Sequence, residues 1–413
     1  MIKIPTKISG HIKLEIITAN GDVRFRSEFN NLVLNEGLNY VMSANWSPLN
    51  TSAHCNVGTK ITEPTESDTF ATAELVGTNM VSGPSSYNWN SSGDYAYAIR
   101  QYYFTPNNNI DGHALAEIVF SYYNFVAWSR TLIKDANGNP TTITLADDEY
   151  LKLVYELRVY PPTGDTTGVA DIGGDTYDYT VRPYRRANQG FLYLPRCVIN
   201  GAGVANTSTA VLVAESDEAI SYTGYRSSAN SLADYNQDSY YRRSTFIWTP
   251  SEANISGGIS VLIFAGGYPY YCFQALFVKQ GDPDPTYGTN IPKDDTKTFS
   301  ITVGGYIARR EPEYARGAVN DGATTSLILK FDNEVLPASP TIAAFTVDIN
   351  SGTNNVVTNV TTSGTTLTIT VTDAIVNGDT ITFSYVKATG NLVGSDDAEV
   401  ENITDATVVN NVT

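Results

Sequence analysis

The chain has 413 residues, 42% of them hydrophobic and 17% charged, which is length enough for two or three domains, each with its own core. A net charge of −17 repels phosphate backbones and argues against nucleic-acid binding through a basic groove. Cys55, Cys197 and Cys272 are too few and too widely spaced for a disulfide framework or a zinc site, and the odd count fits folding in a reducing cytoplasm.

The N-terminal Met1-Ile-Lys-Ile-Pro5 lacks the apolar core of a signal peptide. With 27 Tyr against 3 Met, and no long stretch of 3.6-residue periodicity, the composition favours strands. Ile12, Leu14 and Ile16, then Asn20-Gly21, then Val23 and Phe25 read as a hairpin, because Asn-Gly tolerates the positive φ of a tight turn. Asn31 to Val41 reads as a strand end leading into a short helix. Residues 43–101 read as loop-rich. A second β unit runs from Ile118 to Pro161 and turns at Asp135-Ala-Asn-Gly-Asn139. In it Leu151, Leu153, Tyr155, Leu157 and Val159 make one apolar face against Lys152, Glu156 and Arg158, a strand of about ten residues where about 5–6 is usual. The Gly-, Asp- and Thr-rich stretch Pro161–Gly190 reads as an exposed excursion. Strands resume near Phe191–Val198, Ala210–Ala214, Ser244–Trp248, Ile259–Phe264 and Phe299–Val303. The uncharged run Ile259–Val278 is long enough for a membrane helix, but Gly266-Gly-Tyr-Pro-Tyr270 at its centre reads as a turn between two buried strands.

Ala308-Arg-Arg-Glu-Pro312 reads as a charged linker that few contacts should cross. Beyond it, three alternating segments predict a small sandwich: Leu327/Leu329/Phe331, Leu367/Ile369/Val371 and Ile381/Phe383/Tyr385. Residues 311–413 carry −10 of the net charge. The predicted fold class is therefore all-β, a large sandwich or jelly-roll-like body over residues 1–310 followed by an Ig-like β-sandwich over 311–413.

Chemistry-bearing constellations do not emerge. His11, His54 and His113 form no zinc-binding spacing, and no nucleophile elbow, phosphate loop or dinucleotide fingerprint occurs. His54-Cys55 would point to opposite faces of a strand, which predicts a buried thiol beside a surface imidazole. Asp135–Asn139 lacks the distal Glu of a calcium loop, so a tight turn explains it better. The expectation is no catalytic, cofactor-binding or metal-ligating residue. Clustered tyrosines (Tyr95, Tyr97, Tyr102 and Tyr103; Tyr235, Tyr240 and Tyr241; Tyr268, Tyr270 and Tyr271) suit protein interfaces, with glycan stacking as the alternative. The segment Tyr235–Arg243 reads as a loop that no core requires. Its Tyr235, Tyr240, Tyr241, Arg242 and Arg243 are the candidate interface residues, since Tyr and Arg dominate hot spots.

Asn31-Leu-Val-Leu-Asn-Glu-Gly-Leu-Asn-Tyr40, Cys55-Asn-Val-Gly-Thr59 with Pro64-Thr-Glu-Ser-Asp-Thr69 and Ala73-Glu-Leu75, and Arg130–Ile143 with Leu151–Pro162 occur in an order that resembles tailed-bacteriophage tail proteins. Lys60 stands where that pattern has a second Gly. Ala315–Gly322, Leu327–Phe331, Phe345–Val347, Gly378–Tyr385 and Val408–Asn410 resemble the bacterial Ig-like repeats of cyanobacterial motility and adhesion proteins. These resemblances imply a non-enzymatic virion protein of the tail or neck, assembled in the host cytoplasm, whose partners are other virion proteins and further copies of itself, with no nucleic acid and no membrane insertion. The alternatives are a host-receptor or glycan-binding adhesin or tail-fibre protein, a capsid decoration protein, and a depolymerase.

Overall fold

Alternating side chains place one strand at the centre of the body. Ile2–Thr18 buries Ile2, Ile4, Ile8, Ile12, Leu14 and Ile16, and along its length it pairs with three other strands. The computed structural model describes residues 2–413 except 45–52, 82–85, 91–94, 106, 107, 109, 111, 123–125, 137, 163, 184–200, 206–224, 227, 228, 233–235, 237, 238, 255–257, 260, 268, 269, 283–290, 338, 351, 352 and 395–398.

The protein is all-β, and its α-helix among the described residues is the short Asn35–Ala44. Ile2–Thr18 pairs antiparallel with Val23–Val33 and with Glu149–Tyr160, and its first residues pair in parallel with Val303–Arg309. This is part of a twelve-stranded sheet. A six-stranded sheet, which includes Val261–Gly267 and Tyr270–Lys279, lies over the same core: Tyr177, Tyr179, Leu262, Phe264 and Phe273 join Ile12, Leu153 and Trp248 in one hydrophobic cluster. The expected face of the long strand is buried throughout, with Leu151, Leu153, Tyr155, Leu157 and Val159 all at 4% exposure or less. Ile259–Val278 contributes two antiparallel strands, and no helix among the described residues is long and apolar enough to cross a membrane.

In the C-terminal region, eight strands follow one hydrogen-bonded path, joined at its middle by parallel pairing of Ala318–Asn320 with Val409–Asn411. The path folds over a second core of Leu327, Leu329, Phe331, Val347, Leu367, Ile369, Ile381, Phe383 and Tyr385, separate from that of the body.

Three expectations are corrected. Part of the stretch read as an excursion is a hairpin, Thr166–Ile172 with Asp175–Pro183, closed by Gly173 and Gly174 at φ 64° and 90°. Two positive-φ residues make the turn whose twist matches paired strands, and Gly adopts them without a Cβ clash. The segment read as a linker begins as the end of the strand Phe299–Arg309, and the residues after it stay fastened to the body. Arg309 is 2% exposed, and the Arg310 N–H donates to the Ile8 carbonyl at 2.9 Å. Finally, His54 is buried along with Cys55 rather than exposed, because both faces of the strand Ala53–Gly58 are covered, with Asn56 and Val57 buried as well. Burial pushes the Cys55 thiol well up, away from the reactive thiolate. The strands expected at Phe191–Val198 and Ala210–Ala214 lie outside the described residues.

Candidate functional site

The candidate interface segment is not a free loop. Tyr241, Arg242 and Arg243 open the strand Tyr241–Trp248, paired with Phe299–Arg309. Tyr241 stacks on Tyr306 at 4.4 Å between ring centroids, lying over Gly304 where any Cβ would collide with its ring. Arg242 is buried and donates to the Met42 carbonyl at 2.6 Å. Tyr240, at φ 47°, packs against the body core. Arg243 alone of these is exposed, and Tyr235 lies outside the described residues. Truncating Tyr240 and Tyr241 would therefore damage the monomer as well as any contact. The sequence misled because strand alternation in Tyr-Arg-Arg-Ser-Thr-Phe-Ile-Trp begins with polar and amphipathic residues, which read as surface.

The first tyrosine cluster is also divided by the pleat. Tyr102 faces the core, while Tyr95, Tyr97 and Tyr103 share the other face: Tyr95 is covered by Tyr160 and Arg158, Tyr97 is half-buried and Tyr103 exposed. Tyr102 joins Tyr40, Arg100, Phe120, Tyr122, Trp128 and Tyr155 around a crevice of about 20 Å³, room for one water and too small for a sugar ring. Its walls are locked. Phe120 stacks on Tyr155 at 4.0 Å, and Trp128 Nε1 donates to the Tyr155 hydroxyl at 2.9 Å. Burial pushes the Tyr155 hydroxyl up to about 12 and the Tyr102 hydroxyl well up, and lowers the Arg100 guanidinium. Among the described residues, no three His, Cys, Asp or Glu side chains gather as a metal-binding set. The Tyr270 and Tyr271 side chains, like Tyr268, lie outside what is described.

The segments that carry the tail-protein resemblance converge on one buried polar joint. The Glu36 carboxylate accepts from the Phe70 and Ala127 N–H groups at 3.0 and 2.8 Å. Gly37 sits against the Trp128 backbone, where a Cβ would lie 2.6 Å from the carbonyl oxygen. Arg130, 1% exposed, donates to Glu117 at 2.8 Å and Asp68 at 2.5 Å, and to the Thr62 carbonyl at 3.0 Å. Glu117, fully buried, also accepts from the Glu74 N–H at 2.7 Å. Arg309 donates to Glu66 at 2.8 Å, to the Val33 carbonyl at 2.6 Å and to Asn35. Every one of these groups satisfies a neighbour, so these segments are spent on holding the 59–74 loop to the sheet. Arg309 is the residue sequence reading missed: it looked like linker charge, and its partner Glu66 is far away in sequence.

A second polar joint connects body and C-terminal region. Lys7 pairs with Glu311. Arg310 lies over the Tyr160 ring at 5.1 Å, and Arg316 donates to Asn139 at 2.8 Å. At its centre the Asp332 carboxylate accepts from the Glu313 N–H at 2.7 Å and from Asn30 of the body at 3.1 Å. Burial raises the Asp332 carboxyl to about 6, assisted by the Glu313 carboxylate and opposed by its hydrogen bonds and Arg310. Lys134, beside the same joint, is lowered by burial. A carboxyl raised above its unfolded value stabilises the folded joint fully below the unfolded pKa, and that contribution is lost as pH rises through about 6. We predict that Asp332→Asn, neutral at every pH, is more favourable relative to the parent at pH 7 than at pH 4. Denaturant unfolding at both pH values reads the difference, and equal values would show that ionisation at Asp332 is not coupled to folding.

Residues 307–390 match the model of one protein family, described as "Putative flagellar system-associated repeat". The matched stretch starts inside the body's last strand and ends shortly after Tyr385, so it spans most of the second core and little of the body. The C-terminal region is thus similar to a bacterial repeat domain, and no phage-tail family is matched. No curated protein and no solved structure matches the chain.

Proposed function

We propose that the chain is a non-catalytic structural subunit of a tailed-phage particle, in the tail or neck, that forms a symmetric oligomer and carries its C-terminal sandwich outward at a fixed angle. The observation that carries this reading is the second polar joint. The strand Phe299–Arg309 runs through the body sheet directly into the C-terminal region, and side chains from Lys7, Asn30 and Asn139 fasten that region to the body. A displayed module that must hold its orientation needs such a connection, whereas a tethered binding domain works on a flexible linker. The ordered resemblance of the N-terminal segments to tail proteins supports the kind of particle.

A second reading is favoured by the match at 307–390, whose family name points to a bacterial surface appendage. In it the chain is an adhesin and the sandwich its contact domain. Sedimentation of the purified chain and a glycan array separate the two. Closed oligomers with a blank array are expected from the structural reading, and a monomer that retains specific glycans would overturn it. Release of reducing ends from host polysaccharide would overturn the non-enzymatic assignment.

A further inference from the structure

Sheet edges are normally kept short, bulged, charged or covered, because an open row of N–H and C=O groups recruits other strands. Most sheet ends among the described residues follow this rule. Tyr225–Arg226 has two residues, Thr353–Asn355 three, Ala229–Leu232 four and Ser86–Asn90 five. Leu75–Val81 and Val357–Ser363 are longer, but each is broken by a register shift. Thr166–Ile172 departs from it. This end strand of the six-stranded sheet has seven residues in unbroken register, one charge and no proline, and no described strand pairs with its outer side.

The hairpin turn fixes which backbone groups that edge presents. In a two-residue hairpin the closing pair, here Ile172 and Asp175, is hydrogen-bonded, and bonded pairs alternate with unbonded ones from there. Thr167, Val169 and Asp171 are therefore unbonded toward Asp175–Pro183, and their N–H and C=O groups point outward. The same alternation turns Thr176 toward the other neighbouring strand, where its carbonyl accepts from the Gln280 N–H at 2.9 Å. The side chains of Thr167, Val169 and Asp171 are exposed, Val169 at 57%, while Ala170 and Ile172 on the other face pack on the body core.

The geometry points to this edge as a two-fold contact with a second copy of the chain, the Thr166–Ile172 strands pairing antiparallel about Val169. The inference rests on the self-assembly proposed above and names its surface. Centred on Val169, the pairing sets valine against valine and each Asp171 against the partner's Thr167, a carboxylate facing a hydroxyl, and all three outward residues exchange backbone bonds. Centring on Asp171 would oppose two carboxylates, so charge selects the register. A continuous sheet then runs through both copies and covers the open edge.

The test uses the full chain and two substitutions at an exposed side chain. Val169→Lys sets like charges opposite each other. Val169→Pro removes an outward N–H that the hairpin itself does not use, and proline is tolerated at such edge positions. Sedimentation across concentrations is expected to show self-association weakened at least about tenfold by either substitution, and unchanged by Val169→Thr. In the parent, the Val169 and Asp171 amides are expected to exchange slowly when concentrated and quickly when dilute. Oligomers that survive both substitutions, with these amides exchanging freely, would overturn this contact while leaving self-assembly standing. A parent chain that is monomeric at every concentration would overturn both.

Discussion

Arg130→Met is expected to destabilise the body by about 3–5 kcal/mol, the usual cost of removing one partner from a buried ion pair. Glu117 is fully buried, and its carboxylate is shared between Arg130 and the Glu74 N–H, so removing the guanidinium strands a charge that no water reaches. Asp68 and the Thr62 carbonyl lose the same donor, which frees the 59–74 loop from the sheet. Adding Glu117→Met to Arg130→Met should recover part of the loss, because the uncompensated charge goes with it. Denaturant unfolding of the single and double variants measures both. A single variant within about 0.5 kcal/mol of the parent, the range of ordinary surface changes, would show that the ion pair does not hold the loop.

Leu153→Ala is expected to cost about 2–5 kcal/mol through lost burial and the cavity left behind. Leu153 is fully buried and pairs with Leu14 of the central strand on one side and Tyr102 on the other. Both neighbours are themselves held in paired strands, so little collapse can fill the gap. The neighbouring Lys152→Ala, on the opposite face and bonded among the described residues to Glu15 at 3.1 Å, should cost under about 1 kcal/mol. Similar losses at the two positions would contradict the register, since slipping a strand by one residue exchanges its faces.

The contrast between these positions also explains what was legible in the sequence. Leu151 to Val159 and the three alternating segments after residue 326 alternate cleanly, and alternation is a local signal, so their strands and buried faces could be read directly. The first residues of the strand Tyr241–Trp248, ahead of the part read from Ser244, and the edge Thr166–Ile172 alternate too, but with Arg, Ser, Thr and Gly on one face, and composition hid the period. Arg309 and Arg130 were unreadable for a different reason. An arginine's burial is decided by the carboxylate it meets, and Glu66, Asp68 and Glu117 reach those guanidinium groups through the fold rather than through sequence spacing. The candidate interface was read as a free loop because tyrosine and arginine serve cores, joints and contacts alike. Tyr241 and Arg242 serve the monomer's own packing, while Arg243 beside them is exposed.

Electron micrographs of purified phage particles labelled with antibody against residues 311–413 test the assignment to a particle most directly. Label at one fixed, symmetry-related position on the tail or neck of each particle is the predicted result. Bare particles, with the label confined to cell-surface filaments or the soluble fraction, would contradict it.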